Sequence, residues 1–162
     1  MIKLHECGRG CLYRVLTLEE RRKFRFLMNK YNAYGHLSQA PYLRRRMDLV
    51  YCIGEDWCVL FTIHLMTNPT ILTKYRLDWD RTWFIRRVAT IEECREKYGH
   101  VTVEAHQCLI DWLRKRGESA VIALVVTEDV RRSGATYKRL GFQEVGRTVR
   151  GKGRWFLLRL KE

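Results

Sequence analysis

Tyr137 stands in the stretch RRSGATYKRLGFQEVG, four residues after Ser133 and four before the pair Gly141 and Phe142. A phenol, with a pKa of about 10, keeps its proton at neutral pH and can release it to an anion forming beside it. The same ring would also pack against a sheet with its hydroxyl in water, so its surroundings decide between the two uses. His64, at the end of an apolar run, and Glu92 with Glu93 are the other residues suited to proton transfer. No spacing fixes their roles, and a histidine on a strand is often simply hydrogen-bonded; His64 and Glu92 are carried forward as candidate bases.

A second kind of chemistry would be metal binding. His5, Cys7 and Cys11 crowd together, but no second CxxC or HxxxH pair closes a tetrahedral site, so no metal is expected. The six cysteines are scattered through 162 residues, which reads as reduced thiols rather than a disulfide scaffold.

The third is recognition by charge. Lys and Arg number 31 against 18 Asp and Glu, a net +13. Basic residues gather at Arg21, Arg22, Lys23 and Arg25, at Arg44, Arg45 and Arg46, and at Arg147, Arg150, Lys152 and Arg154. Such an excess attracts polyanions, and the arginine fork suits phosphate, although a solvated face needs no ligand at all. No apolar run approaches the ~18 residues of a membrane span. The stretch Met1 to Leu12 lacks the apolar core of a secretion signal, so a cytoplasmic location without a membrane partner is expected.

These residues need elements to hold them. The length suits one domain over residues 1–162. Cys11 to Leu16 reads as a strand, and Thr17 with Glu20 forms a capping box before a helix whose buried stripe is Phe24, Leu27, Met28 and Tyr31. Mixed signals from Asn32 to Arg46 suggest a loop with a short second helix. Leu49 to Ile53 and Trp57 to Leu65 read as a hairpin, Thr67 to Arg81 as a long polar excursion, and Thr82 to Thr90 as a strand. Val101, Ala105, Cys108, Leu109, Trp112 and Leu113 trace one face of a helix ending at Gly117. Ser119 to Val126 is a strand covered on both sides, followed by a short helix from about Val130 to Leu140. Gln143 to Thr148 and Arg154 to Leu160 close the chain as two strands. The alternation predicts an α/β layered domain with a mixed sheet.

That order, with Ser133, Tyr137, Gly141 and Phe142 in place, resembles the GNAT superfamily of acyl-CoA-dependent N-acyltransferases. "VIALVVTEDV" is similar to the strand leading to its last helix, and "TWFIRRVAT" to the strand beside the acyl chain. The resemblance implies a mixed, mostly antiparallel sheet of about seven strands flanked by about four helices. It implies transfer of an acyl group from acetyl-CoA or another acyl-CoA to an amine, with Tyr137 as general acid for the departing thiolate.

The donor would lie along Val88, Ala89 and Thr90 and against Ser133. In the family a glycine-rich loop holds the pyrophosphate at a helix start. Here the equivalent stretch, EECREKYGHVTV, has only Gly99; Arg95, Lys97 and His100 supply charge, and the amides of Val101 and Thr102 are the expected donors.

The acceptor side of the fold, by the same resemblance, lies between the first helix region and the closing hairpin. Arg44, Arg45 and Arg46 on one side and Arg150, Lys152 and Arg154 on the other make a polyanionic acceptor, DNA or RNA, the expected partner. "SGATYKRLGF" and "NKYNAYGHLS" are loosely similar to phage Mom-like enzymes that modify adenine in DNA, and such an enzyme must take its base out of the stack. Trp79 and Trp83 would offer stacking surfaces, though tryptophan is more often core. Two other readings stand beside this one: a non-catalytic nucleic-acid or acidic-protein binder of GNAT shape, and an acetyltransferase for small-molecule or protein amines.

Overall fold

The computed structural model describes residues 1–32, 43–126, 134–148 and 153–161. The elements in chain order are β1 (Ile2–Cys7), β2 (Gly10–Arg14), α1 (Leu18–Tyr31), β3 (Met47–Ile53), β4 (Asp56–Leu65), α2 (Pro69–Lys74), β5 (Thr82–Thr90), α3 (Glu92–Tyr98), α4 (Val101–Lys115), β6 (Ala120–Val126), α5 (Ala135–Arg139), β7 (Gln143–Arg147) and β8 (Gly153–Arg159). Eight strands form one sheet in the order β1-β2-β3-β4-β5-β6-β8-β7. Among the described residues only β5 and β6 run parallel; every other neighbouring pair is antiparallel.

The expected mixed, mostly antiparallel sheet is therefore present, with one strand and one helix more than the approximate counts. The added strand is β1, which pairs with β2 into an edge hairpin. Within the stretch read as a polar excursion, Asn68 caps α2 by accepting from the amides of Thr70 and Ile71, and Pro69 takes the first helical position. A proline there costs no hydrogen bond, so Asn-Pro starts a helix rather than a loop. The apolar side chains Ile71 and Leu72 then pack with Met66, Leu77, Ile122 and Leu157.

Alternation along β4 separates the two faces of the sheet. Phe61 meets His106 of α4 at 5.0 Å between ring centroids, so the face of Phe61 is the one α4 covers. Thr62 points the other way and donates to Asp48 at 2.8 Å. Along α4 the buried residues are Val101, Ala105, His106, Cys108, Leu109, Ile110, Trp112 and Leu113, the predicted stripe with His106 and Ile110 added to it. Burial of each large apolar side chain in that stripe is worth about 1.5–3 kcal/mol. α1 starts on its capping box at Thr17 and Glu20 and buries Phe24 and Met28. Trp83 is core at 1% exposure, while Trp79 is 46% exposed.

One expectation fails. Cys7 on β1 and Cys108 on α4 form a disulfide with a Cα separation of 5.6 Å, while Cys11, Cys52, Cys58 and Cys94 are free. The two cysteines are 101 residues apart, and only the docking of the edge hairpin onto α4 brings them together.

Candidate active site

The site begins where two parallel strands part. β5 and β6 are paired from Thr82–Ala120 to Ile85–Ala123, and no pair follows although both strands continue, β5 through Thr90 and β6 through Val126. Arg86 is the extra residue of a bulge against β4, between the pairs Ile63–Ile85 and Thr62–Arg87. A bulge bends its strand and sharpens the local twist, which carries the outer half of β5 away from β6.

Tyr137 stands over that fork. Its ring stacks on Phe156 with centroids 5.9 Å apart and planes 28° apart, and Phe156 pairs with Ala123, the last β6 residue joined to β5. His106 approaches the tyrosine ring edge-on at 5.3 Å, and Phe142 does so at 5.2 Å. The residue is half-buried.

Local sequence explains this placement. Gly134 caps α5 with φ of 77°, and a Cβ there would lie 2.5 Å from the Phe156 ring, so only glycine lets the helix sit this close to the sheet. At the other end Phe142 N–H donates to the Tyr137 carbonyl at 3.0 Å and Gly141 N–H to Lys138 at 3.1 Å, with Gly141 at φ 91°. Those two bonds are the Schellman helix stop, with Tyr137 and Phe142 as its customary hydrophobic pair.

His106 escapes a reading of the sequence for chemistry, because it looks like one polar residue inside an apolar helix stripe. Its Nδ1 lies 2.7 Å from the Thr102 carbonyl, and a carbonyl only accepts, so Nδ1 carries the proton. Nε2 is then a buried acceptor with no hydrogen-bond partner among the described residues. Complete burial lowers the imidazole pKa to about 4. The ring beside Tyr137 is therefore neutral at pH 7.

The donor-side expectations are partly brought together. Thr90, at the end of β5, and Thr102, in the first turn of α4, share a hydroxyl hydrogen bond of 2.8 Å. Val88 pairs with Phe61 and so shares the α4 face, whereas Ala89 points to the opposite one. Val101 N–H donates to Gly99 at 2.7 Å, so it is not an available amide. The amides of Thr102 and Val103 have no acceptor among the described residues, which moves the expected pair of donors on by one residue. Gly99 has φ of 84° and ends α3, and a Cβ there would meet nothing within 4 Å. Its role is the left-handed turn. His100, the N-cap of α4, is exposed and makes no side-chain cap. Arg95 pairs with Glu92 at 3.7 Å and Lys97 with Asp56 at 3.1 Å. Ser133 lies outside the described residues.

The candidate bases lie apart from Tyr137. His64, three residues along β4 from Phe61, is on the opposite face of the sheet. It is 1% exposed, holds the Leu65 carbonyl at 2.7 Å, and packs against Phe84. Burial, above all, lowers its pKa, with Arg86 and Arg46 acting in the same direction. Glu92 is exposed at the start of α3.

Among the described residues, the arginines expected on the two acceptor sides lie apart, although Arg46 shares a cavity with Arg14, Arg21 and Arg25. The Arg44 carbonyl accepts from Leu65 N–H, which puts Arg44, Arg45 and Arg46 at the end of the sheet where β4 finishes and β5 begins. Arg154, opposite Val125, lies at the other end, where the fork opens. Arg44 pairs with Asp80 at 3.1 Å, Arg46 with Asp48 at 3.4 Å and Arg154 with Glu144 at 3.6 Å. Arg45 is exposed with φ of 51°. Arg150 and Lys152 lie outside the described residues. None of the described helices is long and apolar enough to cross a membrane.

The fold, with its sheet forked where β5 and β6 part, is similar to that of solved GNAT N-acetyltransferases. The ribosomal-protein-S18-alanine N-acetyltransferase of Escherichia coli superposes with a TM-score of 0.63 at 13% identity, over 94% of this chain and 95% of that one. The GNAT domain of S. lividans PAT gives 0.61 at 11% identity, over 97% and 96%. Mycobacterium smegmatis RimJ, in complex with CoA-disulfide, gives 0.53 at 17% identity, over 71% and 53%. No family model and no curated protein matches the sequence.

Proposed function

We propose that the chain is an N-acyltransferase that moves an acyl group, acetyl in the simplest case, from a coenzyme A thioester to an amine. The observation that carries this reading is the position of Tyr137, stacked on Phe156 at the point where β5 and β6 separate. The residues around the fork fit such a donor. Thr102 and Val103 offer free amides at the positive end of a 15-residue helix, which suits a phosphate. Val88 and Thr90 lie on the same face along the strand that leads to them.

In the reaction the amine attacks the thioester carbonyl, a C–N bond forms and the C–S bond breaks. The leaving sulfur takes the Tyr137 hydroxyl proton, and the amine gives up its own to water or a base. His106, buried and neutral, packs edge-on against the tyrosine ring without adding a charge of its own.

For the acceptor we propose a polyanionic partner, a nucleic acid, reached from the end of the sheet where Arg154 lies. The net charge of +13 supports this. A smaller amine acceptor would use the same chemistry without the charge.

Acetyl-CoA in a thermal-shift assay tests the donor: a rise in Tm at a concentration far above its Kd is expected. Mass spectrometry of nucleic acid and peptide amines after incubation then identifies the product. Absence of both a shift and any acylated product would leave only a binding module.

A further inference from the structure

We propose that, with its thiols reduced, the corner where β1 meets α4 is a zinc site made by His5, Cys7, Cys108 and Asp111. His5 and Cys7 alternate along β1 and so face one side, while Cys108 and Asp111 are one turn apart on α4. A ring nitrogen of His5, Cys7 Sγ and a carboxylate oxygen of Asp111 all lie within 4.8 Å of one another. The fourth donor, Cys108 Sγ, is bonded to Cys7 Sγ at 2.09 Å.

Tetrahedral zinc, with bonds of ~2.3 Å to sulfur and ~2.1 Å to nitrogen or oxygen, spaces its ligands ~3.4–3.8 Å apart. Three donors therefore already stand close to coordinating distance, with the fourth beside them. Two sulfurs, an imidazole and a carboxylate make a donor set suited to zinc. Asp111 is oriented from outside: Gln107 Nε2 donates to its Oδ1 at 2.8 Å and Arg114 lies 3.8 Å from the same oxygen, leaving Oδ2 for the metal. His5, Cys7 and Asp111 are half-buried, so an ion reaches them from solvent, while Cys108 closes the inner side.

Cys11 plays no part in it. It pairs with Glu6, and residues paired across two strands share a face, so Cys11 points away from the side of Cys7. The sequence shows two of the four ligands side by side, whereas the other two come from α4.

Disulfide and metal exclude each other, because sulfurs bonded together are not thiolates. A dithiol or phosphine reductant supplies two electrons, and two protons enter with them, to give two thiols. Zinc(II) then forms two Zn–S bonds and releases those two protons, with no change in its own oxidation state.

The full chain, reduced with a phosphine under anaerobic conditions until all six thiols titrate, is loaded with cobalt(II) as a spectroscopic stand-in. One cobalt per chain, with a thiolate charge-transfer band and a tetrahedral ligand-field spectrum displaced by equimolar zinc, is expected. The band should weaken or be lost with the metal in Cys7→Ser, and the affinity should fall at least tenfold in His5→Ala and Asp111→Asn, all three checked for native far-UV circular dichroism. A band of undiminished intensity in Cys7→Ser, unchanged affinity in His5→Ala and Asp111→Asn, or no band with every thiol free each overturns the assignment. If Cys7→Ser fails to fold, the His5 and Asp111 variants decide by the same criterion.

Discussion

The amide of Phe142 donates to the carbonyl of Tyr137 at 3.0 Å, and the two rings meet edge to face at 5.2 Å. The spacing of tyrosine, glycine and phenylalanine is thus first of all a way to stop a helix. By closing α5 there, the chain fixes the ring on Phe156 and over the fork with no help from a long helix.

Removal of the hydroxyl alone separates these two roles. Tyr137→Phe keeps every ring contact, so its response to acetyl-CoA should match the parent. Acyl transfer should fall by ~10²–10⁴-fold, the usual contribution of a positioned acid. Steady-state kinetics beside a thermal-shift titration reads both, and an undiminished kcat would remove Tyr137 from the chemistry.

The two glycines that bracket α5 should differ in cost. Gly134→Ala meets the positive φ and a Cβ 2.5 Å from the Phe156 ring, and should cost about 2–4 kcal/mol. Gly141→Ala has the backbone strain but only Leu158 at 3.9 Å, and should cost about 1–2 kcal/mol. Urea unfolding at neutral pH orders them.

Acid stability should carry the signature of His106. Its folded pKa of about 4 lies below the ordinary 6.5, so between those values the unfolded chain binds a proton that the folded chain refuses. Stability is full above pH 6.5 and is lost as the pH falls toward 4, by about 3 kcal/mol from this group. His64, also held below its usual value by burial, adds a loss of the same sign. Denaturant titrations of the parent and His106→Gln across this window isolate the His106 share as the difference in slope; parallel curves would refute it.

For a polyanionic acceptor the two ends of the sheet should not be equivalent. Arg154→Gln, at the open end of the fork, should weaken binding and reduce the salt slope by about one. Arg45→Gln, at the opposite end, should leave both unchanged. Fluorescence anisotropy with a labelled oligonucleotide at several salt concentrations makes the comparison.

Local signals carried much of this. The buried stripe of α4, the capping box of α1 and the closing hairpin each lie within a few residues of sequence. β1 was hidden because Lys3 and Glu6 make Ile2–Cys7 look like a polar tail, and it becomes a strand only by pairing with β2. α2 was hidden because Asn68 and Pro69 signal a turn as readily as a helix start. The pairing of Cys7 with Cys108 and the separation of Arg44 from Arg154 depend on strand order across the whole sheet, which no short window contains.

Arg9, in the turn of the first hairpin, grips both carboxylate oxygens of Glu104 at 2.9 Å, across 95 positions of chain. On a ribosome this hairpin would therefore emerge well before its anchor exists. It would wait undocked until α4 follows, and the β1 edge is where nascent chains would be exposed to mispairing in that interval.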